Sequence, residues 1–308
     1  MQYCSSEKLS SSLSLFINMN YHHIYHAGNF ADIFKHIILA LCLEKFHEKP
    51  TPFFVLDTHA GIGKYNLSDE KSVKTFEADE GIKKILAQKN FDFLPERYLR
   101  ILAKINRCEI SELPEKLNIY AGSPIIIKDY LRRDDRAIFA ELNREDFLQL
   151  KKNFAGNPKF SFLNDDGFNF LKSKLPPLEK RGLIIIDPAF EKDQSKISDD
   201  YKKIIDGLEE AYKRFAHGVY LIWHPIIKSD EETLKKFYQK ISELKFSKIL
   251  HATFDIGSKP EETKMHACGM FVINAPWQLE EKLNLILPQV LQVIKKGEGA
   301  KFELRRVG

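Results

Sequence analysis

The chain has little cysteine, and none of it is arranged to do chemistry together. Cys4, Cys42, Cys108 and Cys268 are scattered through 308 residues with no Cys-x-x-Cys pair. That excludes a zinc ribbon or a disulfide framework and points to a reducing compartment. No apolar run approaches the roughly 20 residues that cross a bilayer. The serine-rich stretch 1–18 lacks the long apolar centre and small-residue cleavage site of a signal peptide, and is expected to be a disordered extension. Repeats and low-complexity blocks are absent. Charge of one sign is scarce too: 47 Lys and Arg against 43 Asp and Glu leave +4, which permits a polyanionic partner without requiring one. Six of the ten histidines fall in the first 60 residues, yet no acid or cysteine stands at ligand spacing as in His-Glu-x-x-His, so no metal site is expected. These absences describe a cytoplasmic protein with no membrane partner and no evident obligate protein partner.

What is present is organised around Gly182-Leu-Ile-Ile-Ile-Asp-Pro-Ala-Phe190. Leu183–Ile186 is an unbroken apolar run suited to a central strand buried on both faces. Pro188 cannot continue the ladder, so the strand stops there. Asp187 then stands at the carboxyl end of a strand, where open α/β sheets bind ligands. Acid, proline, small residue and aromatic is a layout that resembles the (Asp/Asn)-Pro-Pro-(Tyr/Phe) box of amino-methyltransferases.

A second buried strand, Phe53–Asp57, runs into Thr-His-Ala-Gly61-Ile-Gly63. Glycines two apart after a strand let backbone approach a ligand closely. The third glycine of a dinucleotide fingerprint is missing, and the loop fits better as the Asp-x-Phe-x-Gly-x-Gly type of S-adenosylmethionine enzymes, with His59 in the aromatic slot. Ala137–Glu141, Phe160–Leu163, Val219–Trp223, Lys248–Phe254 and Met270–Asn274 read as further strands. Asn29 or Asp32 is positioned to cap a helix running to about Phe46, with Lys35 and His36 on its first turns, and Ser123 to cap another. Residues from about 65 to 117 are charged and helical in pattern, too long for one loop, and read as a helical insertion. The basic tail Lys295–Arg306 reads as solvated. Strand and helix otherwise alternate, which gives an α/β fold with a doubly wound, mainly parallel sheet. Asp57, Glu141, Asp166 and Asp187 each close a strand and should collect along one edge, beside the glycine loop. Carboxylates there can accept ribose hydroxyl protons and face an adenine amino group.

Tyr21-His-His, His26-Ala-Gly-Asn-Phe-Ala-Asp32, Lys35-His36, Leu56-Asp-Thr-His-Ala-Gly-Ile-Gly63, Ala121-Gly-Ser-Pro124, Asp166-Gly-Phe168, Arg181–Phe190, Gly207, Tyr212-Lys-Arg-Phe215 and Asn274-Ala-Pro-Trp277 resemble the RlmJ family. These are the 23S ribosomal RNA adenine-N6 methyltransferases, some of whose members were earlier described as proteins for using external DNA. The resemblance runs from Tyr21 to the C-terminus. It implies a Rossmann-like methyltransferase domain over residues 19–308, with a helical subdomain inserted at about 65–117. It implies S-adenosylmethionine as cofactor and 23S ribosomal RNA as partner. By motif match, His36, His59, Ser123, Glu141, Asp166, Gly167 and Asp187 would surround the cofactor, and Lys35 would face its methionine end. Tyr21, Pro188 and Phe190 would contact the substrate, and Asp187 would accept the proton. The chain departs from the family at Ala189, where a second proline is usual, at Phe190, where tyrosine is usual, and at Phe30. Two alternatives stay open beside this reading: a DNA adenine methyltransferase, disfavoured by the absence of a separate target-recognition domain, and a nucleic-acid-binding protein that has lost catalysis.

Overall fold

The structure, a computed structural model, describes residues 23–154, 156, 159–190, 194–258 and 265–307, with backbone alone for 194–198 and 228. The expected disorder of 1–18 and the placement of Tyr21 lie outside these residues. The strands are β1 (Phe54–Asp57), β2 (Lys64–Asn66), β3 (Ile119–Ala121), β4 (Arg136–Ala140), β5 (Phe160–Leu163), β6 (Gly182–Ile186), β7 (Val219–Ile226), β8 (Ile249–Asp255), β9 (Ala267–Ile273) and β10 (Lys301–Val307). Eight of them form one sheet in the order β10-β8-β9-β7-β6-β1-β4-β5, and β2 pairs with β3 in a small antiparallel ribbon. Pairing from β7 through β6, β1 and β4 to β5 is parallel; β9, β8 and β10 add antiparallel strands at the other side. This is the doubly wound, mainly parallel sheet of a Rossmann-like α/β fold.

The apolar runs explain the layering. Strand side chains alternate between faces, so Val55, Ala137, Phe139, Leu183 and Ile185 enter one core, while Phe54, Leu56, Ile138, Ala140, Ile184 and Ile186 enter the other. The first core is covered by the helix Phe30–His47, fifteen of whose 18 residues are buried. A helix apolar nearly all round must itself be enclosed, and it packs against the helices Ser123–Tyr130 and Leu279–Ile294. The helices Gln194–Phe215 and Glu231–Glu243 cover the second core through Ile204, Leu208, Phe237 and Ile241. Between β2 and β3 the chain makes only short helices and the longer Glu96–Asn106.

Three local expectations needed adjustment. Asn29, not Asp32, caps the helix Phe30–His47, accepting from the Asp32 amide at 2.9 Å. Ser123 is not a cap; Gly122 holds that position. The basic tail is not solvated coil, for residues 301–307 form β10, antiparallel to β8. Its alternation of Phe302 and Leu304 with Lys301, Glu303 and Arg305 is the pattern of an edge strand whose outer charges discourage further pairing.

Candidate active site

Strand order reverses beside β1, which has β4 on one side and β6 on the other. At such a switch point the crevice outside the carboxyl ends of the strands is open to a ligand. The register levels those ends: Asp57 lies opposite Ile185, Ala140 opposite Leu163, and Ile186 opposite Ile222. Asp57, Glu141, Asp166 and Asp187 therefore come to one edge.

Each acid is held differently. Asp57 is fully buried; the Ser123 hydroxyl donates to it at 2.6 Å and the His59 amide at 3.3 Å. Burial pushes its carboxyl up to about 6, against those donors. Glu141 accepts the Gly61 amide on one oxygen (2.9 Å) and the Asn143 amide on the other (2.8 Å). Each oxygen keeps a second lone pair for an incoming donor. Burial raises the Glu141 carboxyl to about 7, opposed by the Asn143 and Gly61 amides. Gly61 sits at φ 59°, and a side chain there would run into the Tyr65 hydroxyl, so the turn that delivers its amide to Glu141 requires glycine. Asp166 accepts from the Phe168 amide at 3.0 Å and from Lys203 at 3.3 Å. Gly167 presses so close to the end of β1 that a Cβ would fall 1.9 Å from the Thr58 carbonyl oxygen.

His59 is oriented by its neighbour. The Thr58 hydroxyl donates its single proton to the Ile185 carbonyl (2.8 Å), so its contact with His59 Nδ1 (2.7 Å) must be donated by the ring. That leaves His59 Nε2 as an acceptor, and burial lowers the imidazole to about 4, which keeps it neutral. Phe168 stands edge-on to the ring at 5.1 Å.

Asp187 is partly enclosed and is gripped by Lys35, whose ammonium donates to Oδ2 at 2.6 Å and to Asp32 Oδ1 at 2.9 Å. Burial works against the Lys35 charge, but Asp187 and Asp32 outweigh it and hold the ammonium well above its ordinary value. Asp32, 2% exposed, also accepts from His23 Nε2 at 3.0 Å and from the Gly28 amide at 3.0 Å. These charges lower its carboxyl well below the usual range despite burial. A continuous path of ion pairs and hydrogen bonds thus joins His23, Asp32, Lys35 and Asp187. His36, on the next residue of the helix, is turned into the core: its Nδ1 lies 2.9 Å from the Tyr120 hydroxyl, which meets Tyr98 at 2.9 Å. Burial lowers His36 to about 3.

Beyond Asp187, Pro188 is buried and Phe190 is 7% exposed, its ring against Tyr201 (5.1 Å) and Trp223 (5.8 Å). Phe190 has φ 45°, a left-handed backbone that costs a non-glycine residue about 1–2 kcal/mol; strain of this kind collects at ligand sites. Sequence reasoning missed two members of this edge. Asp32 was read only as a cap, although an acid at i−3 from a lysine, on a helix otherwise apolar, had to be buried with it. Trp223 reads from sequence only as the end of a strand, but the β6–β7 register, with Ile186 opposite Ile222, brings it level with Asp187. Among the described residues no group of three His, Cys, Asp or Glu side chains is placed to hold a metal ion.

A family model described as "Ribosomal RNA large subunit methyltransferase D, RlmJ" matches residues 50–304. The chain belongs to the RlmJ family. Two curated proteins named ribosomal RNA large subunit methyltransferase J are similar to it: that of Haemophilus influenzae is 39% identical over 286 residues, covering 92% of this chain and 96% of its own length. That of Escherichia coli K12 is 37% identical over 270 residues, 88% and 92% of the two chains. The crystal structure of a protein from Legionella pneumophila, 31% identical, superposes with a TM-score of 0.79 over 92% of this chain and 99% of that one. This RlmJ-family protein is accordingly an RNA methyltransferase, with the charged edge described above on its sheet.

Proposed function

We propose that this RlmJ-family chain transfers a methyl group from S-adenosylmethionine to N6 of an adenine in 23S ribosomal RNA, in the cytoplasm. The observation that supports this most is the convergence of Glu141, Asp166 and Asp187 with the Gly61 turn at the switch point. On this reading residues 19–308 are the methyltransferase domain, and residues of about 65–117 its helical insertion.

The residues present suit the cofactor. Glu141 has spare lone pairs for the ribose hydroxyls, Asp166 and the Gly167 backbone flank the nucleoside, and Asp57, tied to Ser123, and the neutral His59 line the approach to Asp187. Lys35 serves Asp187 more than the methionine end, because two of its three protons are engaged by Asp187 and Asp32. His36 acts from behind, through Tyr120. When bound, S-adenosylmethionine supplies a methyl group already activated by its sulfonium, so no metal is needed.

The chain's own work is on the amine. The adenine amino lone pair is delocalised into the ring. Oδ1 of Asp187, without a hydrogen bond among the described residues, and the Pro188 carbonyl can accept its two hydrogens, orienting the nitrogen and favouring the tetrahedral geometry of attack. Once methylated the nitrogen is a strong acid, and the Asp187 carboxylate takes its proton. Phe190 stacks on the base, which must leave its helix or loop; the ring swings away from Tyr201 and Trp223 to do so. Stacking of this kind is worth about 1–3 kcal/mol per base. Ala189 supplies only backbone here. Restoring proline there should change stability by at most about 0.4–1 kcal/mol, provided the native φ is compatible, and should leave transfer intact. Chemical denaturation together with a transfer assay checks both.

Glu141 gives the cofactor site a pH signature. The hydroxyls bind the ionised carboxylate, so affinity rises with pH through about 7. Between about pH 8 and pH 6 the dissociation constant should rise about tenfold, one unit of pH below the midpoint costing a decade. Glu141→Gln should flatten that profile, and Glu141→Ala should weaken binding roughly tenfold or more, since hydrogen bonds to charged groups are worth about 1.5–3 kcal/mol. Titration calorimetry reads both; a flat wild-type profile contradicts the assignment. For the substrate, Tyr21→Ala should lose methylation while cofactor affinity is kept. Equal loss of both would make that stretch structural. Calorimetry with S-adenosylmethionine followed by methyl transfer to unmodified ribosomal RNA and to duplex DNA tests the reaction. Transfer to DNA alone would overturn it, and cofactor binding without transfer would favour the catalytically lost binding protein.

A further inference from the structure

At the opposite, amino end of the same strands lies a cleft of about 420 Å³ bordered by Gly182 of β6 and Val219 of β7. It is some five residues of β6 from Asp187, about 17 Å along the strand. Lys45, Lys49, Lys180, Arg181 and Trp277 line it, with Glu48 the one acid lining it among the described residues, and Glu48 is paired with Lys45 at 2.7 Å. Lys49 and Lys180 are exposed, and their ammonium groups have no hydrogen-bond or ion-pair partner among the described residues.

Trp277 is 78% exposed, an unusual position for so large an aromatic, and it is held there by a built loop. The Asn274 side chain donates to the carbonyls of Ala216 (2.8 Å) and Gly218 (2.7 Å), and both Asn274 (φ 54°) and Gln278 (φ 67°) adopt left-handed backbone. Lys45 lies 5.3 Å from the indole centroid and donates to Gln278 at 3.1 Å. His217 donates to the Lys180 carbonyl at 3.1 Å, fixing the turn that presents Lys180. Beneath them Arg181 and Arg132 both donate to the Thr51 carbonyl, at 2.5 and 2.9 Å. Burial, and after it the neighbouring Arg132, lower the Arg181 guanidinium from its ordinary value, with Asp135 opposing them. Arg181 spends much of its hydrogen-bonding on Thr51 and Phe46, so it contributes charge, while Lys49 and Lys180 are free to donate.

We propose that this cleft is a second RNA site, in which Trp277 stacks on an unpaired base and Lys49 and Lys180 take the flanking phosphates. A flat aromatic beside a cluster of cations is the pairing that single-stranded nucleic acid recognises, and the charge complementarity favours RNA over an acidic protein, whose carboxylates would leave the indole face bare. The inference rests on the substrate being RNA. It places a second segment of that molecule against the side of the sheet away from the transferred methyl group, so that binding and chemistry are separable.

The test is titration of the full chain with a fluorescently labelled single-stranded fragment of large-subunit RNA at several salt concentrations. Trp277→Ala should weaken binding at least about fivefold, the lower end of what loss of a stacked base does. Lys49→Ala with Lys180→Ala should weaken binding and lower the slope of log affinity against log salt by about 1.4, at ~0.7 per phosphate contact on single strands. Affinity for S-adenosylmethionine, read on the same proteins, should not change, which shows that the fold and the other edge are intact. Wild-type affinity and salt slope in both variants overturn the site, and so does an equal loss on a fully paired duplex, where no base is free to stack. Methyl transfer by the wild type is scored separately. If it methylates RNA while the variants bind normally, only the second site fails. If it does not methylate RNA while the variants bind weakly, only the assigned reaction fails.

Discussion

Replacing Asp187 by alanine is expected to abolish methyl transfer while leaving cofactor affinity within a few-fold of wild type. On the proposed reaction the substitution removes the proton acceptor and one of the two groups orienting the amine, and interactions made only in the transition state appear in the rate. It also strips Lys35 of the carboxylate 2.6 Å away, but Asp32, at 2.9 Å, still holds that ammonium, so the fold should survive. Single-turnover transfer to unmodified 23S RNA, alongside calorimetry, separates the two effects. Transfer at more than about a hundredth of the wild-type rate would contradict the role, because positioned acid–base groups contribute about 10²–10⁴-fold.

Asp32→Ala is expected to cost about 3 kcal/mol of stability. Removing one partner of a buried ion pair typically costs about 3–5 kcal/mol, and the lower end applies because Lys35 keeps Asp187. The change also leaves the Gly28 amide without its acceptor. The sign of the pH dependence follows from the two directions. The Asp32 carboxyl is depressed in the folded state, so its contribution is present above its ordinary 3.8 and fades as pH falls below it. Lys35 is raised, so its contribution is present below its ordinary 10.5 and fades as pH climbs past it. Urea unfolding of the variant near neutral pH should show the full loss; a difference below about 1 kcal/mol would mean that water replaces the carboxylate.

The carboxyl edge was legible because it rests on period and punctuation. Leu183–Ile186 suits a strand enclosed on both faces, and Pro188 ends it, which puts Asp187 at the edge. The same logic carried Glu141 and Asp166, and parallel pairing then aligned them. What period cannot show is which polar side chains on an enclosed helix find each other. Lys35 and Asp187 are 152 positions apart, and nothing local signals their contact; Lys35 was read toward the cofactor instead. Ser123 was misread for the same reason, since its hydroxyl serves Asp57, 66 positions away, rather than its own helix. The tail was misread because its alternation is diluted by charge, and only the open edge of β8 shows that it pairs. Asn274-Ala-Pro-Trp277 stands out as a motif, but its meaning depends on an exposed indole beside lysines from two other segments.

The most direct test of the central claim is mass-spectrometric mapping of N6-methyladenine in unmodified 23S RNA incubated with the purified chain and S-adenosylmethionine. The account predicts one or a few methylated adenines, absent from the Asp187→Ala reaction and retained with Ala189→Pro. A silent wild type beside an active Ala189→Pro variant would contradict it, because the Asp187-Pro-Ala-Phe190 box would then be unable to work as it stands.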